Sequence, residues 1–445
     1  MARIIFQALL GFPVLALGAA IPVEHKYPVV THVHAANAGL AITDNYHTLS
    51  RIRRQPGLSR TLDVLRQIYR NKANSNHANY VAPGDGPIGI DHILAELNQI
   101  EYIMKVGIGH TPYYLIPDTG SSDTWVVQEG FKCLDPYYGG EVPQEYCQFG
   151  PQFKGDFPSG KIDNQNLNIS YLSGDYLNGN MGYADITVGN ITVPKQQFAL
   201  VNVAAFSGDG ISSGILGLGL RGLTAAFTGN NPAVDSLGNL VNYSPLMETI
   251  GTSNVTSPVL SFAMSREENR SYIAFGGVPP VPTGEYTTVP IQKGTTVSGK
   301  TDYFYYDIQI DSMEWSSGAR NQTARDLPNM IVDSGTTINL FPPEVAAAIN
   351  AAFSPSGLQE DSMVWSVPCN AKPPTLDIVI GGKPIRTHPS SMILPETEIE
   401  GNRCLSGIGA GRPGSYILGD TFMQEIVAVF DVSEKMELKF AQRTD

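Results

Sequence analysis

The chain is 445 residues long and carries 42 acidic against 29 basic side chains, a formal net charge of −13 at pH 7. That length exceeds what one hydrophobic core usually supports, so two lobes plus removable segments are expected. The acidity argues against a nucleic acid partner, and no stretch after the first residues approaches the ~20 uninterrupted apolar positions of a membrane span.

Residues Met1 to Ala20 place Arg3 before an apolar stretch from Ile4 to Leu17 and close on Gly18-Ala19-Ala20, the layout of a secretory signal peptide. Residues 21–72 then hold eight Lys/Arg against three acids, a net of +5, so that with Arg3 also set aside the rest of the chain carries −19. A basic leader on an acidic body suggests an inhibitory prosegment held by charge attraction, which acid would weaken by protonating carboxylates. Leu62, Leu65 and Ile68 recur at helical spacing and predict a docking helix. Asn71 to Gly89 is rich in Asn, Pro and Gly, an exposed loop in which processing is expected, with the prosegment spanning 21–85.

Downstream, short alternating runs such as Tyr305 to Asp311 and Met436 to Phe440 read as strands, while Glu344 to Phe353, behind Pro342-Pro343, reads as a helix. The class is mainly β. Gly276 to Gly284, rich in Gly and Pro, is the expected connection between an N-terminal lobe, 86–285, and a C-terminal lobe, 286–445. The polar end Gln442-Arg443-Thr444-Asp445 excludes a lipid-anchor signal of the hydrophobic-tail kind, so release from the cell is expected, with a vacuole as the alternative. Six Asn-X-Ser/Thr sites, Asn168, Asn190, Asn242, Asn254, Asn269 and Asn321, fit the secretory route as glycosylation candidates. Cys133, Cys147, Cys369 and Cys404 form an even set that allows three pairings. No Cys-x-x-Cys occurs and His32 and His34 lie in the leader, so no metal or other cofactor is expected.

Two copies of one carboxylate turn carry the chemistry: Asp118-Thr119-Gly120-Ser121 and Asp333-Ser334-Gly335-Thr336. Each follows apolar residues and is trailed by Ile-Leu-Gly, at Ile215-Leu216-Gly217 and Ile417-Leu418-Gly419, whose glycines lie 99 and 86 residues beyond their aspartates. The repeat unit is therefore a whole lobe. Duplicated lobes that each present one aspartate can bring two carboxylates together at their interface, and like charges that close cannot easily both ionise, so the pair would share a proton. Two other motifs fail on context. Gly217-Leu218-Gly219-Leu220-Arg221-Gly222 fits the dinucleotide fingerprint without a surrounding βαβ unit, and Gly210-Ile211-Ser212-Ser213-Gly214 fits a serine-hydrolase elbow, but an apolar, glycine-rich run follows it where a helix is required.

With Ser122-Asp123-Thr124-Trp125-Val126, the Ile169-Ser170-Tyr171 approach and both Ile-Leu-Gly segments, the residues after about 95 resemble the pepsin-like aspartic endopeptidases, most of all their secreted fungal branch. The resemblance implies a bilobal β fold with pseudo-symmetric lobes and the active-site cleft between them, a zymogen that acts as a monomer on proteins or peptides in acid, and no cofactor. It makes Asp118 and Asp333 the catalytic pair around an activated water. Thr119 and Ser334 would cross-link the two turns, Ser121 and Thr336 would bond the outer carboxylate oxygens, and Gly120 and Gly335 would permit close backbone approach. Tyr171 would be the flap tyrosine, with Trp125 as its hydrogen-bonding neighbour and Gly174 in the flap turn. Of the three cysteine pairings, the resemblance selects Cys133–Cys147 and Cys369–Cys404.

Departures from the family pattern bear on the same site. Pro117 precedes the first aspartate and removes one ladder donor. Leu172-Ser173-Gly174-Asp175 stands where fungal relatives often show Gly-Asp-Gly; the absent first glycine would stiffen the flap, and the shifted acid puts in doubt a preference for a basic residue before the cut. Phe131 to Gly160 is long for the family and reads as a surface loop. Lys72 is a weak candidate for a leader lysine that pairs with the aspartates, because Ala73 to Tyr80 does not match the family's usual Lys-Tyr step.

Overall fold

The structure is a computed structural model that describes residues 29–53, 100–135, 140–171, 174–267, 269–295, 299, 301–399 and 402–445. The signal peptide, Leu62, Leu65, Ile68, Lys72, the proposed processing loop and Leu172-Ser173 lie outside the described residues. Strands dominate what is described, as the alternating sequence predicts.

Period-two patterning explains the layering. In Ile100–Ile108 the side chains of Tyr102, Met104, Val106 and Ile108 enter one core, while Ile103 enters another on the opposite face. The next strand, Thr111–Asp118, repeats this with Tyr113 and Leu115 on one side and Ile116 on the other. Both belong to an 11-stranded sheet that takes in every strand from Ser50–Arg53 to Leu240–Val241. Among the described residues the C-terminal half builds four smaller sheets, of five, four, four and two strands; in the five-stranded one Met330 and Val332 join the first core and Ile331 a separate one.

A six-stranded sheet ties the ends of the chain together. Its order is Tyr46–Thr48, Tyr272–Phe275, Val259–Ala263, Ile426–Asp431, Glu437–Gln442 and Thr287–Pro290. Residues 29–53, which the sequence reading assigns to a prosegment, are built into this framework. Ala35 and Leu40, from the helix Val29–Asn37 and the turn after it, pack on Val259, Val278, Val427 and Val429. Tyr46–Thr48 then extends the six-stranded sheet, Leu49 enters the main core at 1% exposure, and Ser50–Arg53 pairs antiparallel with Ile100–Ile103.

Each Ile-Leu-Gly segment is a short strand inserted between the strand that leads into an aspartate and the strand that leaves it. Gly214–Gly217 runs parallel to Thr111–Asp118, with Gly217 opposite Asp118, and antiparallel to Trp125–Leu134. Ile417–Leu418 likewise runs parallel to Met330–Val332 and antiparallel to Asn339–Phe341. The long spacing in sequence is thus direct pairing in space.

Three sequence readings need adjustment. The predicted helix Glu344 to Phe353 forms as Pro343–Ala351, with Pro343 in the first turn where its missing N–H costs nothing. Of Tyr305 to Asp311 only Asp307–Ile308 pairs as a strand, because Tyr306 turns fully inward, donates from its hydroxyl to Leu218 O at 2.7 Å and packs edge-on against Phe430. The stretch from Phe131 to Gly160 is not a simple surface loop, since Phe131, Cys147, Phe153 and Phe157 are buried. Both expected disulfides form, Cys133–Cys147 within that stretch and Cys369–Cys404 in the C-terminal half, with Cα separations of 5.8 and 4.9 Å.

Candidate active site

The two aspartate turns meet face to face and are locked by four reciprocal hydrogen bonds. Thr119 N–H donates to Ser334 Oγ at 3.1 Å and Ser334 N–H to Thr119 Oγ1 at 3.0 Å. Each hydroxyl in turn donates to the carbonyl just before the opposite aspartate, Thr119 to Val332 O at 3.0 Å and Ser334 to Pro117 O at 2.8 Å. Pro117 lacks an N–H, yet its carbonyl is the group the lock uses.

Within each turn the carboxylate is held at both oxygens. Gly120 N–H donates to Asp118 Oδ1 at 2.7 Å and Ser121 Oγ donates to Asp118 Oδ2; Gly335 N–H and Thr336 Oγ1 make the matching bonds to Asp333 at 2.8 and 2.7 Å. A Cβ on Gly120 would come within 2.5 Å of Asp333 Oδ1, and one on Gly335 would meet Asp118 Oδ1. The Oδ1 atoms therefore face the opposing turn, and only glycine leaves them room. Both carboxyls are buried, at 6% and 8% exposure. Burial first, and the Asp333 charge second, push the Asp118 carboxyl well above the ordinary carboxylate range, with the Ser121 and Gly120 bonds opposing the shift. The arrangement favours one proton on the pair.

Above the turns, Lys161–Ser170 and Tyr176–Val188 form a hairpin whose tip is closed by Tyr171 N–H donating to Asp175 O and Gly174 N–H donating to Tyr171 O, both at 2.9 Å. Gly174 takes φ +87°, a left-handed value suited to glycine. Trp125 Nε1–H donates to Tyr171 Oη at 2.7 Å, the pairing that the resemblance implied. Burial, followed by the nearby Asp118 charge, raises the Tyr171 phenol, so it stays neutral and able to donate.

Several residues around this centre were missed in the sequence reading. Phe149, two residues beyond Cys147, and Phe206 pack edge-on against Trp125 at ring-centroid distances of 5.9 and 5.5 Å and so buttress the indole that holds Tyr171. Asp123 is fully buried, accepts from Tyr243 Oη at 2.7 Å and Ala225 N–H at 3.0 Å, and is raised to about 6 by burial. Asp420, 2% exposed after the second Ile-Leu-Gly, is raised well above the carboxylate range by burial and then by the Asp333 charge, with the leader's Arg51 opposing. A lone buried carboxyl has no sequence signature: Asp420 did not stand out, and Asp123 entered only as part of the Ser122 to Val126 motif, without a role.

The chain matches the family described as eukaryotic aspartyl protease over residues 101–443. It is 33% identical over 366 residues to a probable aspartic-type endopeptidase of Aspergillus fumigatus, covering 79% of this chain and 81% of the relative. Mucorpepsin of Rhizomucor miehei is 28% identical, with 74% and 76% covered. The solved aspartic proteinase of Irpex lacteus superposes with a TM-score of 0.57 at 18% identity, over 77% of this chain and 94% of that one, a likeness of fold. A bilobal β fold, two caged aspartates and a match across both lobes lead to one conclusion: the chain belongs to the eukaryotic aspartyl protease family and is an aspartic-type endopeptidase.

Proposed function

We propose that Asp118 and Asp333 are the catalytic pair and that they act in acid as a dyad sharing one proton. The observation that carries this reading is the symmetric cage, in which each carboxylate is fixed by a glycine N–H and a hydroxyl while its Oδ1 faces the opposite turn. A water between the carboxylates gives a proton to the ionised member as its oxygen attacks the peptide carbonyl carbon, and the protonated member gives its proton to the carbonyl oxygen. Proton transfer to the peptide nitrogen then accompanies C–N cleavage. Tyr171 closes over the extended peptide, with Trp125 orienting its hydroxyl.

The finer reading extends to biosynthesis. The enzyme is exported behind residues 1–20, made as a zymogen with the basic leader 21–85 as its own inhibitor, glycosylated, and active as a monomer with its lobe boundary near residue 285. Charge contrast between leader and body supports the zymogen, as does the nearness of Arg51 to buried Asp420. Purified wild type should digest denatured protein in acid and be blocked by a pepstatin-type inhibitor. Asp118→Asn and Asp333→Asn, folded by circular dichroism, should each lose at least about 100-fold in activity. Acid proteolysis retained by folded Asp333→Asn would overturn the dyad.

A further inference from the structure

Beside the flap hairpin lies a second, smaller hairpin, Ala226–Thr228 and Leu240–Val241, whose first strand pairs with the flap strand Lys161–Ser170 at Leu167, Asn166 and Gln165. Its loop carries Asp235, half-buried and within hydrogen-bond reach of the flap strand. Asn168 Nδ2 donates to Asp235 Oδ2 at 3.1 Å and to Pro232 O at 3.0 Å. Asn239 Nδ2, from the same loop, donates to Asp235 Oδ1 at 3.0 Å, and Asn166 Nδ2, one pleat below Asn168, reaches the loop at Gly229 O, 3.1 Å. The network continues across the flap. Asn178 Nδ2, on the returning flap strand, donates to Asn168 Oδ1 at 3.2 Å, and Tyr176 Oη, just past the tip, donates to Asn178 Oδ1. One carboxylate is thereby connected through two side chains, Asn168 and Asn178, to Tyr176, the residue that follows Asp175.

We propose that Asp235 is a positioning residue for the protease reaction: it is the hub of a polar brace that makes the small hairpin and the flap one mechanical unit. The flap hairpin is bordered by Ala226–Thr228 on one side and by Ile191–Ala205 on the other, so its backbone is paired as far as Leu167 and Tyr176, and the brace adds side-chain restraints among those strands. The charge-assisted bond to Asp235 from Asn168, three residues before Tyr171, restrains the hairpin close to its tip, and the neighbouring Asn166 and Asn178, at 5% and 8% exposure, are shielded from competing water. A braced flap loses little freedom on closing over a peptide, so the brace acts on substrate binding more than on the chemical step. Asn168 heads one of the Asn-X-Ser/Thr sequences, and a glycan there would leave its amide one N–H for the two bonds it gives to Asp235 and Pro232, so the brace requires Asn168 without a glycan. The inference rests on Tyr171 being the flap residue of the proposed active site.

Steady-state kinetics on a long peptide substrate, with wild type, Asp235→Ala and Asp235→Asn, test it. For both variants KM should rise about tenfold while kcat changes by less than about twofold, with the melting temperature retained. Hydrogen exchange of residues 165–171 should quicken in both. The double variant Asp235→Ala/Asn168→Ala should be no worse than Asp235→Ala alone, since both remove one brace. Unchanged KM and exchange in Asp235→Asn, which is the variant safest for folding, would overturn the brace. So would a fall in kcat that tracks a fall in melting temperature, or a glycan found on Asn168 of active enzyme from a glycosylating host. Tyr171→Ala is the control: if it too leaves peptide hydrolysis intact, the flap assignment fails along with the brace, whereas impairment by Tyr171→Ala alone confines the failure to Asp235.

Discussion

Asp123 shows how one buried side chain can set the pH response of the fold. Its carboxyl, ordinarily near 3.8, is raised to about 6 by burial, although Tyr243 and Ala225 stabilise the ionised form. The folded state therefore holds this proton more tightly than the unfolded state, and stability is lost as pH rises from about 4 through about 6. At about 1.4 kcal/mol per pH unit the loss is about 3 kcal/mol. Asp118 and Asp420, raised by burial in the same way, add to the trend. Asp123→Asn, which cannot ionise, should reduce the stability lost between pH 4 and pH 7 by about that amount in denaturant titrations. An unchanged loss would show that the carboxyl ionises in place without penalty.

Among the elements, the stretch closed by Cys133–Cys147 couples stability to the site. On loop-entropy grounds the bridge contributes roughly 3 kcal/mol, so Cys133→Ser/Cys147→Ser should unfold at correspondingly lower denaturant. Because Phe149 next to it packs on Trp125, KM should rise under conditions where the variant is still folded. A variant less stable but kinetically unchanged would separate the loop from the flap.

The sequence disclosed those elements that repeat or alternate. Both aspartate turns, their Ile-Leu-Gly partners, Tyr171 and Trp125 were legible because each has a fixed residue type in a fixed local frame. The short helix Leu246–Thr252 and the leader helix Val29–Asn37 were not, since seven to nine residues of mixed polarity give a weak periodic signal and tertiary packing decides them. Asp235, Asn168 and Asn178 were illegible for a related reason. They are ordinary turn and strand residues whose meaning arises only when three strands lie side by side.

For the whole molecule, the proposed zymogen reading makes residues 21–72 an inhibitor that meets the rest of the chain through both charge and burial. Peptide 21–72 added to mature enzyme should inhibit it, with potency that falls in high salt and in acid. Salt-insensitive inhibition would assign the interaction to apolar contacts such as those of Leu40 and Leu49 alone.

Residues 46–53 form the outer border of two sheets at once, beside Tyr272–Phe275 and then beside Ile100–Ile103. Taking them away would uncover two rows of unpaired amides, and losing Ala35 and Leu40 would bare the valine face at Val259, Val278, Val427 and Val429. Open edges of this kind recruit strands from other molecules. On the proposed zymogen reading, maturation is then a handover, in which other chain covers those borders as residues 29–53 depart. A polypeptide begun at residue 86 and refolded alone should self-associate, and supplying peptide 29–53 during refolding should suppress that association, as light scattering would register.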